Sequence, residues 1–371
     1  MTKSGIRIFL IFFMQVTLFN NGFAQKASKI DLQWDQLPAV PDPIGFAGSF
    51  AGISNGALIV AGGANFPDGG APWTGSVKKW YDKIFVLEKD ATEWKQIGKL
   101  PKPLGYGVSI SGPNGLVCLG GSNESGHYSD VFIIEYKNGE IFIKPLPNMP
   151  KPNANSCGTI INNVIYLAGG TEAPDSKSTD NIFWSLDVSK TNARWQSLPS
   201  WPGPSRMLSV AGNHKEAFYL FSGAQLKEGK REYLKDAFKY VPGKGWIEIA
   251  NLPTPVVAAP STAYTSENSL LIFGGDDGKL AATAAELKEK HPGFSDKILS
   301  YNPILDCWNI AGTIATNKKS DAESNPNAST WAPVTTPLVV WNGKVILPGG
   351  EVRPATRTPH VLQATIINSK K

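Results

Sequence analysis

Six short apolar runs in this chain each end in a pair of small residues, and the pairs recur at nearly even spacing. The runs are ALIVAGG, GLVCLGG, VIYLAGG, AFYLFSG, LLIFGG and KVILPGG, which end at Gly63, Gly121, Gly170, Gly223, Gly275 and Gly350. Most steps are about 50 residues long, a period typical of repeat architectures. The chain is therefore expected to fold as six similar units.

Each unit carries four strand-like segments. A second apolar run precedes the glycine pair and is joined to it by a tight turn such as Asn342-Gly343. A polar loop follows the pair, and then come a third strand and a fourth strand, which carries tryptophan at Trp94, Trp195, Trp246 and Trp308. Four short antiparallel strands repeated six times predict an all-β fold, a six-bladed kelch-type β-propeller.

The two ends of the chain complement each other. The sixth unit has strand-like runs at residues 334–340, 344–347 and 360–366 but no tryptophan strand, whereas residues 29–38 contain Trp34 in the matching context. We therefore expect the N-terminal strand to complete the C-terminal blade and close the ring, which removes exposed sheet edges. The alternative, an open solenoid, would leave both segments unpaired.

The first 24 residues have the pattern of a secretory signal peptide. Lys3 and Arg7 precede an apolar stretch, and Gly22-Phe23-Ala24 forms a small-residue cleavage site. The stretch is shorter than the ~20 residues of a membrane span, so an uncleaved anchor is the weaker alternative. The sequence predicts a signal peptide at 1–24 and one propeller domain at 25–371. Residues 279–293 are expected to form a helical insert, either a lid or a packing element.

Composition argues against several classes of protein. The net charge of +5 is not concentrated in runs, so no nucleic-acid partner is expected, and no later segment predicts a membrane span. The three cysteines, Cys118, Cys157 and Cys307, are expected to be free thiols. The four histidines show no metal-ligand spacing, and no cofactor motif is present. The mild positive charge suits a small anionic ligand.

Strand alternation predicts where a site would form. The loops after the second strands and the entries to the first strands should open on one face of the ring, where polar side chains converge on a small-molecule pocket. The residues placed there are Asn65, Asn123, Glu172, Gln225, Asp276, Asp277 and Glu351, with Tyr106, Asn155 and Arg206 from the first-strand entries.

The last glycine pair opens the stretch GGEVRPATRTPH, which contains Glu351, Arg353 and Arg357. An arginine fork could hold a carboxylate in bidentate fashion. A partly buried glutamate could exchange a proton with a sugar hydroxyl. A solvated loop with ion pairs is the alternative, so these residues by themselves predict only a pocket for a polar, anionic ligand.

Three stretches carry a family resemblance: GSFAGISNGALIVAGGANF, GYGVSISGPNGLVCLGG and VILPGGEVRPATRTPHV. They resemble the kelch-propeller N-acetylneuraminate epimerases, the sialic acid mutarotases of bacterial periplasms, and their order matches a cyclically permuted branch of that family. The resemblance implies interconversion of the α and β anomers of N-acetylneuraminate, a sugar substrate, no cofactor, a homodimer and a periplasmic location.

The resemblance also assigns site residues. The family's acid and base pair falls on Glu351 and Arg357, and Arg206 matches a family arginine with the register off by one. The substrate-binding residues expected here are Arg206, Arg353, Asn65 and Tyr106. Leu104 stands where compared members have arginine. That difference leaves open a mutarotase for another acidic sugar, and a non-catalytic propeller that binds anionic glycans is the further alternative.

Overall fold

The computed structural model describes Met1 and residues 30–367. These residues form six four-stranded antiparallel sheets, which are the blades of a six-bladed β-propeller. The predicted fold is therefore confirmed. The predicted signal peptide lies, apart from Met1, outside the described residues.

The blades follow one another along the chain, and in the first five the strands pair in chain order. Blade 1 contains Phe50–Ser54, Ala57–Ala61, Lys83–Leu87 and Lys95–Lys99. Blade 2 contains Val108–Gly112, Gly115–Leu119, Val131–Lys137 and Glu140–Leu146. Blade 3 contains Cys157–Ile161, Val164–Ala168, Phe183–Asp187 and Gln196–Ser197. Blade 4 contains Val210–His214, Ala217–Phe221, Ala237–Val241 and Gly245–Ile249. Blade 5 contains Tyr264–Thr265, Leu270–Phe273, Lys297–Asn302 and Cys307–Thr313.

Blade 6 is built from both ends of the chain. It contains Val339–Trp341, Lys344–Pro348, Val361–Ile367 and, as its outermost strand, Asp31–Leu37. The last two strands pair antiparallel, with Trp34 opposite Ala364. The predicted ring closure is thus confirmed. The first strand of blade 6 is shorter than expected because Val334 pairs with Glu351 instead.

The hydrophobic core is divided among the six interfaces between neighbouring blades. Each interface holds one cluster of buried apolar side chains contributed by both blades. Between blades 4 and 5, for example, Tyr219 and Phe221 pack with Ile272 and Tyr301. Because second strands are covered on both faces, they read as continuous apolar runs, and this is why the repeat is visible in the sequence.

The fourth-strand tryptophans join each blade to the preceding one. The indole N–H of Trp94 donates to the carbonyl of Pro38 at 2.7 Å. The same contact to the preceding link is made by Trp34, Trp195, Trp246 and Trp308. Blade 2 has no tryptophan in its fourth strand. Each such hydrogen bond contributes about 0.5–1.5 kcal/mol to stability, so these bonds help to fix the blade spacing.

Replacing Trp94 by phenylalanine should lower the free energy of unfolding by about 1–2 kcal/mol, because the Pro38 carbonyl loses its donor. Urea denaturation of the purified protein measures this change. Phe142→Leu, at a 44% exposed position in the fourth strand of blade 2, is the matched control and should change little. Equal stability of the Trp94 variant and wild type would show that the indole bond is dispensable.

Short elements rise from the loops after the second strands. Four two-stranded ribbons pair Ala64–Asn65 with Lys79–Trp80, Ser122–Asn123 with Gly126–His127, Ala224–Lys227 with Lys230–Tyr233, and Glu351–Arg353 with Thr356–Arg357. The insert at residues 279–293 contains an α-helix, Ala284–Leu287, and a 3-10 helix, Lys288–Lys290. Further 3-10 helices are Pro72–Thr74 and Pro326–Ala328. No helix within the described residues is long and apolar enough to cross a membrane.

A closed ring of backbone hydrogen bonds surrounds the central channel. One residue at the entry to each first strand donates its N–H to the carbonyl of its equivalent in the preceding blade, at 2.7–2.9 Å. We call these residues the channel ring: Gly48, Tyr106, Asn155, Leu208, Ala258 and Thr335. All six have positive φ angles between 52° and 67°, which are unfavourable for the five non-glycine members. The six mutual bonds hold the backbone in this conformation.

Candidate active site

A cavity of about 1150 Å³ opens over the channel ring, on the face that carries the loops after the second strands. The residue before each ring member pairs with the residue after each glycine pair, as in Gly105 with Ser122 and Val334 with Glu351. This pairing recurs in all six blades. It brings the residues after the glycine pairs to the rim of the channel, which is the face that strand alternation predicts.

Glu351 and Arg357 lie opposite each other in the ribbon of blade 6. The chain turns between them through Pro354 and Ala355, so a separation of six positions in sequence becomes a direct pairing. Arg357 Nη1 lies 3.6 Å from Glu351 Oε1. The same carboxylate oxygen accepts the N–H of Ala355 at 2.8 Å. The structure thus brings together the two residues to which the sequence assigns the chemistry.

Arg357 is a buried cation with unused donors. Its side chain is 4% exposed, and its guanidinium lies 4.9 Å from the centre of the Phe66 ring. Nη2 donates to the hydroxyl of Tyr106 at 3.5 Å. Nε and Nη1 have no hydrogen-bond partner among the described residues. Buried donors without partners are costly, so the arrangement suits an anionic ligand that supplies the missing acceptors.

The charge of Arg357 is maintained despite its burial. Burial by itself lowers the pKa of the guanidinium, but the carboxylate of Glu351 and the hydroxyl of Tyr106 more than offset it, and the pKa is raised. Glu351 is 21% exposed in the cavity wall. Its second oxygen, Oε2, makes no hydrogen bond within the described part of the chain, and it therefore remains available to a ligand.

Tyr106 depends on a glycine in the neighbouring blade. A Cβ atom on Gly48 would lie 2.7 Å from the Tyr106 ring, so only glycine lets the ring approach this closely. The ammonium of Lys78 lies 5.1 Å from the centre of the same ring. Tyr106 thus stands between Lys78 and Arg357 on the cavity floor.

Two of the arginines expected to bind substrate have structural partners instead. Arg206 is fully buried and forms a bidentate ion pair with Asp236, with Nη2 2.6 Å from Oδ2 and Nη1 3.0 Å from Oδ1. Arg353 donates to Thr356 Oγ1 and to the carbonyls of Glu289, Ala322 and Glu323. Neither arginine lines the cavity.

Asn65 and Leu104 are also outside the cavity lining. Asn65 is buried and donates to the Gly45 carbonyl at 2.9 Å and to Asp42 at 3.2 Å. Leu104 is 1% exposed and belongs to the apolar cluster between blades 1 and 2. Leu104 lies two positions before the channel-ring residue Tyr106, just as Arg206 lies two positions before Leu208 in blade 4. Both positions face the interface between neighbouring blades. Leu104 therefore removes no contact from this cavity.

Comparisons with known proteins agree with this geometry. A family model described as N-acetylneuraminate epimerase matches residues 21–143 and 146–371. The chain belongs to the N-acetylneuraminate epimerase family. N-acetylneuraminate epimerases of Yersinia pestis (strain Pestoides F) and Salmonella enteritidis PT4 are each 38% identical to it, over 109 and 125 residues. These alignments cover 27% and 30% of this chain and 27% and 32% of the relatives. The matched stretch thus spans about a third or less of each relative's length.

For this member of the N-acetylneuraminate epimerase family, the structure adds cavity residues that the sequence analysis missed. The cavity is also lined by Phe66, Lys78, Trp80, His127, Lys230, Arg231 and His291. Most come from segments between a second and a third strand, which are long in blades 1, 4 and 5. Their length was the available signal, because long loops on one face of a ring can fold over the channel.

Among the described residues, no group of three or more His, Cys, Asp or Glu side chains is placed to hold a metal ion. Cys118 and Cys157 are free and buried, and Cys307 is free and half-buried. Within the cavity, the carboxylate of Glu351 lies beside the buried guanidinium of Arg357.

Proposed function

We propose that this protein is a mutarotase that interconverts the α and β anomers of N-acetylneuraminate. The proposal is supported by the buried guanidinium of Arg357, whose Nε and Nη1 have no hydrogen-bond partner among the described residues, beside the carboxylate of Glu351. The family match supplies the sugar, since the matching family is described as N-acetylneuraminate epimerase.

Binding would satisfy the unpartnered donors first. N-acetylneuraminate carries a carboxylate on its anomeric carbon, and a carboxylate oxygen accepts a charge-assisted hydrogen bond from a guanidinium N–H. The anomeric hydroxyl is attached to the same carbon atom as the carboxylate. Binding of the carboxylate to Arg357 therefore brings this hydroxyl close to Glu351 Oε2. The aromatic faces of Phe66 and Tyr106 bound this part of the cavity.

The reaction needs one proton taken and one returned. Glu351 removes the proton of the anomeric hydroxyl, the O–H electron pair becomes the second bond of a ketone, and the bond to the ring oxygen breaks. The electron pair of that bond goes to the ring oxygen, which takes a proton from protonated Glu351 or a water molecule. Rotation about the bond between the ketone carbon and the sugar chain presents the opposite face of the ketone to the hydroxyl formed from the ring oxygen. The same steps in reverse then close the ring. Such acid–base steps are worth about 10²–10⁴-fold each.

Proton NMR of α-N-acetylneuraminate freshly released by a sialidase tests this function. We expect the purified mature protein to speed the approach to anomer equilibrium without changing its position. No acceleration, with the sugar still bound, would favour the non-catalytic propeller. The alternative substrate, another acidic sugar, was suggested by the leucine at position 104. That side chain is buried in the hydrophobic core. Running the assay with a second free 2-keto acid sugar compares the two substrates directly.

Arg357→Gln should raise KM for the sugar by about 10–100-fold, because a charged hydrogen-bond pair is worth about 1.5–3 kcal/mol. Initial rates from the NMR assay measure this effect. Arg231→Gln removes an exposed arginine that lines the cavity from blade 4 and serves as the matched control. An unchanged KM in the Arg357 variant would remove the carboxylate-binding role.

We also propose that the chain is exported to the periplasm after cleavage at Ala24. The support is the charged, apolar and small-residue pattern of residues 1–24. Mass spectrometry of the protein recovered from a periplasmic fraction should find Gln25 at the N-terminus. Light scattering on the same material tests the homodimer that the family resemblance implies.

A further inference from the structure

The insert at residues 279–293 is attached to the strand that carries Glu351. Arg353 Nη1 donates to the carbonyl of Glu289 at 2.6 Å. Gly293 packs so closely that an added Cβ would lie 3.1 Å from the Val352 carbonyl oxygen. In the insert, Glu289 and Gly293 lie on either side of His291. In the strand, Val352 and Arg353 directly follow Glu351. They hold His291 in the same part of the cavity as Glu351.

The hydrogen bonding of His291 determines where its proton sits. Nδ1 accepts the N–H of Gly293 at 3.1 Å, and a ring nitrogen that accepts cannot also carry a proton. The neutral ring therefore carries its proton on Nε2. His291 is 5% exposed and lines the cavity. Its Nε2 has no partner among the described residues, so one N–H donor is available to a ligand.

The surroundings keep this imidazole neutral. Burial lowers the pKa of His291, the charges of Asp276 and Glu351 oppose the shift, and those of Arg353 and Lys318 add to it. The net direction is downward, so the neutral form predominates at neutral pH. His291 is then a hydrogen-bond donor and not a proton source.

Asp276, the other nearby carboxylate in the cavity, is already occupied. Its Oδ2 accepts the hydroxyl of Tyr233 at 2.7 Å, and its Oδ1 accepts the N–H of Gly278 at 2.9 Å. Asp276 holds the same position after its glycine pair as Glu351 does, but its oxygens are engaged in structure. His291 Nε2 and Glu351 Oε2, in contrast, accept or donate no hydrogen bond among the described residues.

We propose that His291 is a further catalytic residue, whose Nε2–H donates a hydrogen bond to the ring oxygen of the sugar as the ring opens. This proposal rests on the proposed mutarotase function. The bond between the anomeric carbon and the ring oxygen breaks, and its electron pair moves to that oxygen. The hydrogen bond stabilises the developing charge until the proton from Glu351 or water arrives, and His291 keeps its own proton throughout.

Two substitutions separate this role from a structural one. His291→Gln places an amide N–H near the position of Nε2, whereas His291→Asn places its amide near Nδ1 and removes the donor that residue 291 presents to a ligand. Loss of a donor to a developing oxyanion costs about 10²–10³-fold in kcat. We expect that loss in the Asn variant, little change in its KM, and a rate within about tenfold of wild type in the Gln variant.

The assay is the NMR measurement on mature protein, with thermal melting of each variant. His214→Asn is the control, because His214 bonds the Glu267 carbonyl outside the cavity, and its rate should equal that of wild type. A fully active Asn variant, or equal losses in the Asn and Gln variants, would overturn the proposal while leaving the mutarotase function standing. An inactive wild type would overturn both.

Discussion

Replacing Glu351 by glutamine should reduce kcat for anomer interconversion by about 10²–10⁴-fold, the range of a lost acid–base group. Glutamine has nearly the same shape and can still accept the N–H of Ala355 through its amide oxygen. It cannot take the proton of the anomeric hydroxyl at neutral pH. Because the substitution also removes the negative charge beside Arg357, we expect the affinity for the anionic sugar to be unchanged or slightly higher.

Wild type and the Glu351 variant are compared in the same NMR assay, with KM and kcat determined separately. Glu124→Gln is the matched control, since Glu124 also lines the cavity but belongs to blade 2 and is exposed. It tests whether any loss of negative charge in the cavity slows the reaction. Retention of the wild-type rate in Glu351→Gln would exclude Glu351 as the proton acceptor.

Arg206→Met should lower the free energy of unfolding by about 3–5 kcal/mol, the cost of removing one partner of a buried ion pair. The substitution leaves Asp236 without its two guanidinium bonds and the Ser222 carbonyl without the Nη1 donor. It also removes the cation that lies 5.2 Å from the Phe238 ring centre. Both Asp236 and Phe238 belong to the blade 4 side of the interface with blade 3.

Urea denaturation measures this loss, and Arg194→Met at an exposed position is the control. The same variant decides between a structural and a substrate-binding role for Arg206. A structural role predicts an unchanged KM for the folded fraction. A raised KM with wild-type stability would restore the substrate-binding interpretation.

The arginines show where reasoning from sequence stops. Arg206, Arg353 and Arg357 all lie near strand ends, and the sequence alone does not say which of them faces a ligand. Asp236, the partner of Arg206, directly precedes the third strand of the same blade, 30 positions away. The carbonyls that bind Arg353 come from the insert and from the loop at Ala322. Of these three arginines, Arg357 alone has nitrogens without a hydrogen-bond partner in the described part of the chain. That difference arises from contacts between segments that are distant in sequence.

The sequence by itself determined the number of blades and the closure of the ring, because every blade buries the same apolar run and the tryptophan strand missing from the sixth unit is present near the N-terminus. The family resemblance assigned the catalytic pair to Glu351 and Arg357, and the ribbon of blade 6 sets these residues opposite each other. The tertiary structure alone decided which charged groups are satisfied and placed His291 beside the site. Those outcomes depend on segments distant in sequence that meet over the channel, where burial makes each missing partner costly.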